Sequence, residues 1–336
     1  MNIIIPMAGM GKRMRPHTLT IPKPLVPIAG KPIVHRLVED IAKVCASKVD
    51  KVGFIIKESF GKEIEISLLA IAKQIGAQGS IHYQEEALGT AHAIMCAKEL
   101  LSGHTVVAFA DTLFKADFIL NTEEEGIIWT QEVDDPSAFG VVKVDDKNVI
   151  TDFIEKPKEP VSNLAIIGIY YFKKGEALRK ELQYLLDNDI KDAGGEYQIT
   201  VALENMKAKG VQLKPGTVTE WLDCGNKDAT VYTNQRYLEF IKDTDLIAVS
   251  SKLNNSVIIP PVYIGEGVNI TNSVIGPHVS IGDNSVIKDA RISNSIIQTN
   301  TTITNLNFTN SMVGNNVWLE ERTKDLSIGD YNKLIS

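Results

Sequence analysis

Between Ile264 and Val313 an apolar residue returns every five or six positions: Ile264, Ile270, Ile275, Ile281, Ile287, Ile292, Ile297, Ile303, Phe308 and Val313. A helix repeats its apolar face about every 3.6 residues and a half-buried strand about every 2, so this step belongs to neither. It suits a chain that lays one apolar side chain inward from each short strand, with three strands to a turn. That is the hexapeptide parallel β-helix, and ten such positions make about three turns. Gly, Asn, Asp or Ser stand beside many of them, as corners require. The five-residue gaps leave a coincidentally spaced β-sandwich as the alternative.

Upstream the grammar is different. NIII at residues 2–5 reads as a short buried strand, and KPIVHRLVEDIAKVCASK puts Ile33, Leu37, Val38, Ile41 and Cys45 on one helical face. VGFIIK, IHYQ and TVVAFAD read as strands, separated by helices through IEISLLAIAKQ and GTAHAIMCAKELL. GIIWTQEV, FGVVKVD, VITDFIEKP and NLAIIGIYYF follow as strands, the middle two forming a hairpin around Asp145–Lys147. GEALRKELQYLLD, EYQITVALENMKAKG and NKDATVYTNQRYLEFI read as helices. The expected fold class is α/β: a Rossmann-like, mostly parallel sheet with helices on both faces, then a short left-handed parallel β-helix. The expected division is 1–245 for the α/β domain, 246–255 for a linker and 256–330 for the repeats. In such sheets ligands sit beyond the carboxyl ends of the strands, where the first Gly-rich loop, Gln84 and Asp111 all fall.

A net charge of −7 with no basic block argues against nucleic acid as the main partner. A local positive site for a small anion remains compatible with it. The opening MNIIIPMAG is too short an apolar run for a signal peptide, and no segment approaches 18 apolar residues, so no membrane partner is expected. Cys45, Cys96 and Cys224 lack the paired spacing of a metal or disulfide framework, which fits reduced thiols and a cytoplasmic protein.

Two adjoining stretches carry chemistry. GMGKRMRP has a Gly-x-Gly turn at Gly9 and Gly11, but Met14 stands where a dinucleotide fingerprint has its third glycine, and Pro6 excludes a Walker A loop. What remains is a turn whose backbone N–H groups can close on an anion, followed by Lys12, Arg13 and Arg15. The guanidinium of Arg13 offers a planar fork for phosphate oxygens. Ten residues on, PKPLVPIAGKP carries Lys23 among Pro22, Pro24, Pro27 and Pro32. Prolines deny this loop helix and central-strand bonding and reduce its freedom before any ligand binds.

MAGMGKRMRPHTLTIPKPLVPIAGKP resembles the signature of the sugar-1-phosphate nucleotidylyltransferases, and QEEALGTAHA, FAD, FGVV, EKP, EYQIT and WLDCG follow in family order. Lys12 departs from the usual Thr or Ser, and Met14 from Leu. GTAHA is most similar to N-acetylglucosamine-1-phosphate uridylyltransferases, whereas WLDCG and EYQIT are more similar to glucose-1-phosphate thymidylyltransferases. The periodic tail matches a common extension of the family.

The resemblance implies transfer of a nucleotidyl group from a nucleoside triphosphate, UTP or dTTP favoured, to a sugar-1-phosphate. It implies that Ala8, Gly9 and Gly11 wrap the triphosphate, and that Gln84, Gly89 and Thr90 read the base. Arg13, Lys23 and Lys156 would be catalytic. Asp111 and Asp223 would hold Mg²⁺. Gly140, Glu155, Asn163, Gly168 and Glu196 would line the sugar pocket. His92 is read as helix packing. The tail, whose one histidine is His278, is expected to join copies into a homo-oligomer, with acyl transfer by the β-helix as one alternative function; the other, for the whole chain, is a non-catalytic nucleotide or sugar-phosphate sensor.

Overall fold

The computed structural model describes residues 1–323 and 328, apart from positions 46, 158, 160 and 193. The last positions of the expected repeat domain, 324–327 and 329–330, therefore lie outside the described residues. Contacts divide the chain into two units, Met1–Val26 with Lys31–Thr233, and Pro27–Gly30 with Asn234–Ser336.

The strands up to the last helix are, in order, β1 (Asn2–Pro6), the two-residue β2 (Pro27–Ile28) and β3 (Lys31–Pro32), β4 (Lys51–Ile56) and β5 (Gln78–Tyr83). They continue with β6 (Thr105–Ala108), β7 (Thr112–Lys115), β8 (Gly126–Glu132), β9 (Gly140–Val144), β10 (Ile150–Glu155), β11 (Leu164–Phe172), β12 (Leu213–Thr217) and β13 (Glu220–Asp223). The helices are α1 (Ile33–Val44), α2 (Lys62–Gln74), α3 (Thr90–Met95), α4 (Gly175–Asp187), α5 (Ile199–Ala208) and α6 (Lys227–Phe240).

The central sheet of the first unit has the order β10-β9-β11-β6-β1-β4-β5, with β8 on β11 and β12 on β8. The β6-β1-β4-β5 side is parallel throughout, and β11 enters it antiparallel to β6. Ile3, Ile4 and Ile5 are fully buried, because a parallel strand covered on both faces has no polar side. The hairpin formed by β9 and β10 turns through Asn148 at φ 59°. One expected element is shorter than its pattern. The helix over GTAHAIMCAKELL stops at Met95, Ala97 leaves helical geometry at φ −113° and ψ 34°, and a single 3₁₀ turn follows at Lys98–Leu100. Leu100 and Leu101, at the end of that turn, are both buried.

In the second unit short strands stack into three parallel sheets, the faces of a left-handed β-helix. Ile270, Ile287 and Ile303 lie in register on one face, Ile275, Ile292 and Phe308 on the next, and Ile264, Ile281 and Ile297 on the third. Together with Val313 these side chains form the core anticipated from the period. Asn255, Asn272, Asp289 and Asn305 sit at one corner with positive φ, a conformation that short polar side chains tolerate. Their side chains ladder from coil to coil, Asn255 to Asn272 at 2.8 Å and Asn272 to Asp289 at 3.1 Å.

Candidate active site

A cleft of about 430 Å³ opens at the carboxyl ends of β1, β4, β5 and β6. It is lined by Ala8, Gly9, Gly11, Arg13, Lys23, Gln84, Gly89, Thr90, Asp111 and Glu196, all expected from the sequence. Lys12, Lys57 and Phe109 line it too. Four cationic side chains against two carboxylates give the cleft a positive field inside a chain of net charge −7, a setting for an anionic ligand.

The glycine loop is built for close approach. Gly11 has φ 58°, and a Cβ there would stand 2.8 Å from Lys23 Cβ and 3.2 Å from Thr18 Cγ2. The Gly11 carbonyl accepts from the Met14 N–H at 2.9 Å and the Thr18 hydroxyl at 2.8 Å. Met14, unusual at its motif position, is fully buried and anchors the single 3₁₀ turn that carries Lys12 and Arg13. Lys23 begins a similar turn, Lys23–Leu25, which the flanking prolines favour. Its ammonium reaches Asp111 Oδ2 at 2.9 Å.

Asp111 and Asp223 come together through a two-stranded ribbon rather than the main sheet. β7 and β13 pair antiparallel with Thr112 opposite Asp223, and the Cys224 N–H donates to the Asp111 carbonyl at 3.0 Å. Burial, and then the charge of Asp111, push the Asp223 carboxyl above its usual range, while Lys23 and Arg13 pull it back. Two neighbouring carboxylates of this kind fit a hard divalent cation, for Mg²⁺ takes one or two of them and completes its shell with phosphate and water.

The base-side residues are locked to a later segment. The Tyr197 N–H donates to the Leu88 carbonyl at 2.9 Å and the Ala91 N–H to the Tyr197 carbonyl at 2.8 Å. The Thr90 hydroxyl donates to Gln198 Oε1 at 2.9 Å. EYQIT is thereby tied to LGT. Gln84 is buried, and its carboxamide nitrogen faces the Gly89 carbonyl at 3.3 Å and His92 Nδ1 at 3.2 Å. His92 is thus a partner of Gln84 as well as part of the helix.

The remaining expected residues, Gly140, Glu155, Lys156, Asn163, Gly168 and Asp223, are not among those lining this cleft. Asp223 adjoins it through Gly225, whose N–H donates to Asp223 Oδ1 at 2.9 Å. Gly168, at φ 81°, breaks the register of β11 against β8, and its carbonyl accepts from the N–H of Phe109 at 3.0 Å. The Glu155 carboxylate lies over Gly140, where a Cβ would meet it at 3.0 Å. Lys156 is exposed, with φ 43° and its ammonium 3.7 Å from Glu155. Asn163 is exposed just ahead of β11. Lys57, Phe109 and Tyr197 were not expected at the site. Lys57 had a readable signal, since it is the residue after a parallel strand ends.

A model of the nucleotidyl transferase family matches residues 2–239. The chain is 33% identical over 277 residues, 80% of its length, to the bifunctional protein GlmU of Methanococcus aeolicus, and spans 62% of that relative. It is 28% identical to a glucose-1-phosphate thymidylyltransferase of Streptomyces antibioticus over 99% of both chains. A solved UDP-glucose pyrophosphorylase, complexed with UDP-glucose, superposes with a TM-score of 0.58 at 24% identity, covering 71% of this chain and 98% of that one, a likeness of fold.

Proposed function

The chain belongs to the nucleotidyl transferase family, and from that premise we propose that it joins a nucleoside triphosphate, UTP or dTTP, to a sugar-1-phosphate, releasing pyrophosphate. The observation that carries this is the ion pair between Lys23 and Asp111, set in the cleft among Gly11, Arg13 and Gln84.

An oxygen of the sugar phosphate attacks the α-phosphorus, forming one P–O bond as the bond to the departing pyrophosphate breaks opposite it. No general base is needed, because a phosphate monoester is largely dianionic near neutral pH, its second pKa being about 6. The chain's task is to hold two anions together and offset their charge. Ala8, Gly9 and Gly11 wrap the triphosphate, Arg13 meets the leaving phosphates, and Lys23 meets the α-phosphate. Gln84, Gly89 and Thr90 hold the base. Asp111 and Asp223 hold Mg²⁺, which would neutralise charge on the α-phosphate. On the acceptor side, Lys156 meets the sugar phosphate, with Glu155, Gly140, Asn163, Gly168 and Glu196 around the sugar.

The division of labour between a transferase domain and a repeat domain belongs to this reading, as do a cytoplasmic setting and a homo-oligomer joined through the repeats. Support for the setting is that Cys45, Cys96 and Cys224 are free thiols and that no helix among the described residues is long and apolar enough to cross a membrane. Support for the oligomer is the last described coil, where Trp318–Glu320 pairs only with Thr302–Thr304 among the described strands and Trp318 is exposed.

The test is pyrophosphate release with Mg²⁺, crossing UTP, dTTP, GTP, ATP and CTP against glucose-, N-acetylglucosamine-, mannose- and galactose-1-phosphate. Release with one pair establishes both substrates; silence across the grid with nucleotide binding intact favours the sensor. A second reading, acyl transfer by the repeats, has one observation behind it. His278 is held by Glu239 Oε1 at 2.7 Å, as a base is held by its orienting carboxylate. Acetyl-coenzyme A turnover, lost in His278→Ala, would establish it.

A further inference from the structure

Gln198 stands at the N-cap of α5 with φ −98° and ψ 140°, yet its side chain does not cap the helix. Ser, Thr, Asp or Asn would there turn an oxygen toward the helix's own first N–H groups. Here that oxygen comes from another element, for the Ile199 N–H donates to the Thr90 hydroxyl at 2.9 Å. The Gln198 carboxamide is free for a different task.

Two bonds define it. Nε2 donates to Glu196 Oε2 at 3.0 Å, and Oε1 accepts from the Thr90 hydroxyl at 2.9 Å. A carboxylate can only accept, so Glu196 fixes which way the amide turns, and the Thr90 proton must then point at Oε1. One directed chain results, from the Ile199 N–H through Thr90 and Gln198 to Glu196, in which each bond polarises the next. Thr90 and Glu196 line the cleft, whereas Gln198 is not among the lining residues.

Glu196 is held by its main chain as well. Its N–H donates to Asp192 Oδ1 at 2.9 Å, and its carbonyl accepts from the Asp192 N–H at 2.9 Å. The Gly194 N–H donates to the same Asp192 oxygen at 2.9 Å. The loop is thereby closed and Oε2 is engaged. Glu196 Oε1 has no partner among the described residues and offers the cleft an acceptor for a hydroxyl group.

We propose that Gln198 is a positioning residue for the acceptor end of the reaction. It aims Glu196 Oε1 at a hydroxyl of the sugar phosphate and ties that aim to Thr90 on the nucleotide side. This rests on the transferase reading above and adds to it a residue that touches neither substrate.

The experiment measures kcat and the KM of each substrate, with UTP affinity by calorimetry, in the full chain, Gln198→Met, Gln198→Glu and Thr90→Val. Gln198→Met, close in shape but without either bond, should raise the sugar-phosphate KM by about tenfold, the scale of one hydrogen bond, and move UTP affinity far less. Thr90→Val, which removes the far anchor, should raise that KM too. Gln198→Glu keeps an acceptor for Thr90 but sets two carboxylates together, and serves if the methionine variant does not fold. Its loss, taken relative to the unaltered chain at each pH, should shrink from about pH 7.5 to about 5.5, as the two carboxylates come to share a proton. Sugar-phosphate and UTP terms that fall alike, or a loss in Gln198→Glu that ignores pH, overturn the proposal. If no pair releases pyrophosphate, calorimetry with glucose-1-phosphate and N-acetylglucosamine-1-phosphate makes the same comparison. Binding that weakens in the variants then sinks the transferase and leaves this inference standing; binding unchanged by them, or absent from the unaltered chain, overturns it.

Discussion

Lys23 Nζ and Asp111 Oδ2 lie 2.9 Å apart although 88 residues separate them in sequence. Lys23 is nearly buried, at 11% side-chain exposure, while Asp111 is 44% exposed. A pair so open to solvent on one side adds at most about 1 kcal/mol to stability. Its worth lies in keeping a cation and a carboxylate at the same point of the cleft.

Lys23→Ala should therefore separate activity from stability. Loss of one preorganised charge at a reacting phosphate costs about 100- to 1000-fold in turnover. The melting temperature should move by only a few degrees, following the pair's small contribution. Pyrophosphate release and thermal melts on one preparation check both. Full activity in the variant would remove Lys23 from the mechanism.

Asp111 and Asp223 should behave as one site. Mg²⁺ is expected to raise the melting temperature of the unaltered chain, since a ligand that binds only the folded state stabilises it. Asp111→Asn and Asp223→Asn should each abolish most of that rise, because each leaves a single carboxylate. Calorimetric titration of Mg²⁺ without nucleotide supplies a readout independent of turnover. Equal Mg²⁺ stabilisation in all three proteins would place the ion elsewhere.

Gly89→Ala should damage both fold and function. Gly89 has φ 112°, and a Cβ there would stand 2.4 Å from the Tyr197 carbonyl oxygen and 2.7 Å from its nitrogen. Those atoms are bound to Ala91 and Leu88, so the clash opens the tie between LGT and EYQIT. Backbone strain and a broken pair of hydrogen bonds together cost about 3 kcal/mol. Denaturant unfolding should show that loss, alongside weakened nucleotide binding.

Glu239 makes stability depend on pH in a stated direction. The hydrogen bond with His278 outweighs the opposing effect of burial and, with the lesser contributions of the His278 and Lys242 charges, holds the Glu239 carboxyl below its usual range. A carboxyl depressed in the folded chain contributes stability above its unfolded value, about 4.3, which is lost as pH falls through the depressed folded value. Glu239→Gln should thus be less stable than the unaltered chain near neutrality. Urea midpoints should converge in acid. A difference that stays constant with pH would exclude this linkage.

The repeat fold was legible because its period is a local property. Ile270, Ile287 and Ile303 announce the inward face whatever surrounds them. The buried parallel strands were legible for the same reason, since β1 reads as an unbroken apolar run. Helix α3 was less so: its pattern continues past Met95, whereas the chain leaves helical geometry at Ala97.

At the site, sequence alone determined which residue types are present and that Gly11, Lys23 and Asp111 fall in loops at strand ends. It could not determine that Asp223 returns beside Asp111, which depends on the register of a ribbon joining positions 112 and 223. Nor could it say which way Gln84 turns its amide, because Gly89 and His92 decide that through space. Periodicity and turn chemistry act between near neighbours along the chain and survive in the sequence. Cross-strand register and side-chain orientation arise between residues the chain brings together only when folded, and there the tertiary structure decided.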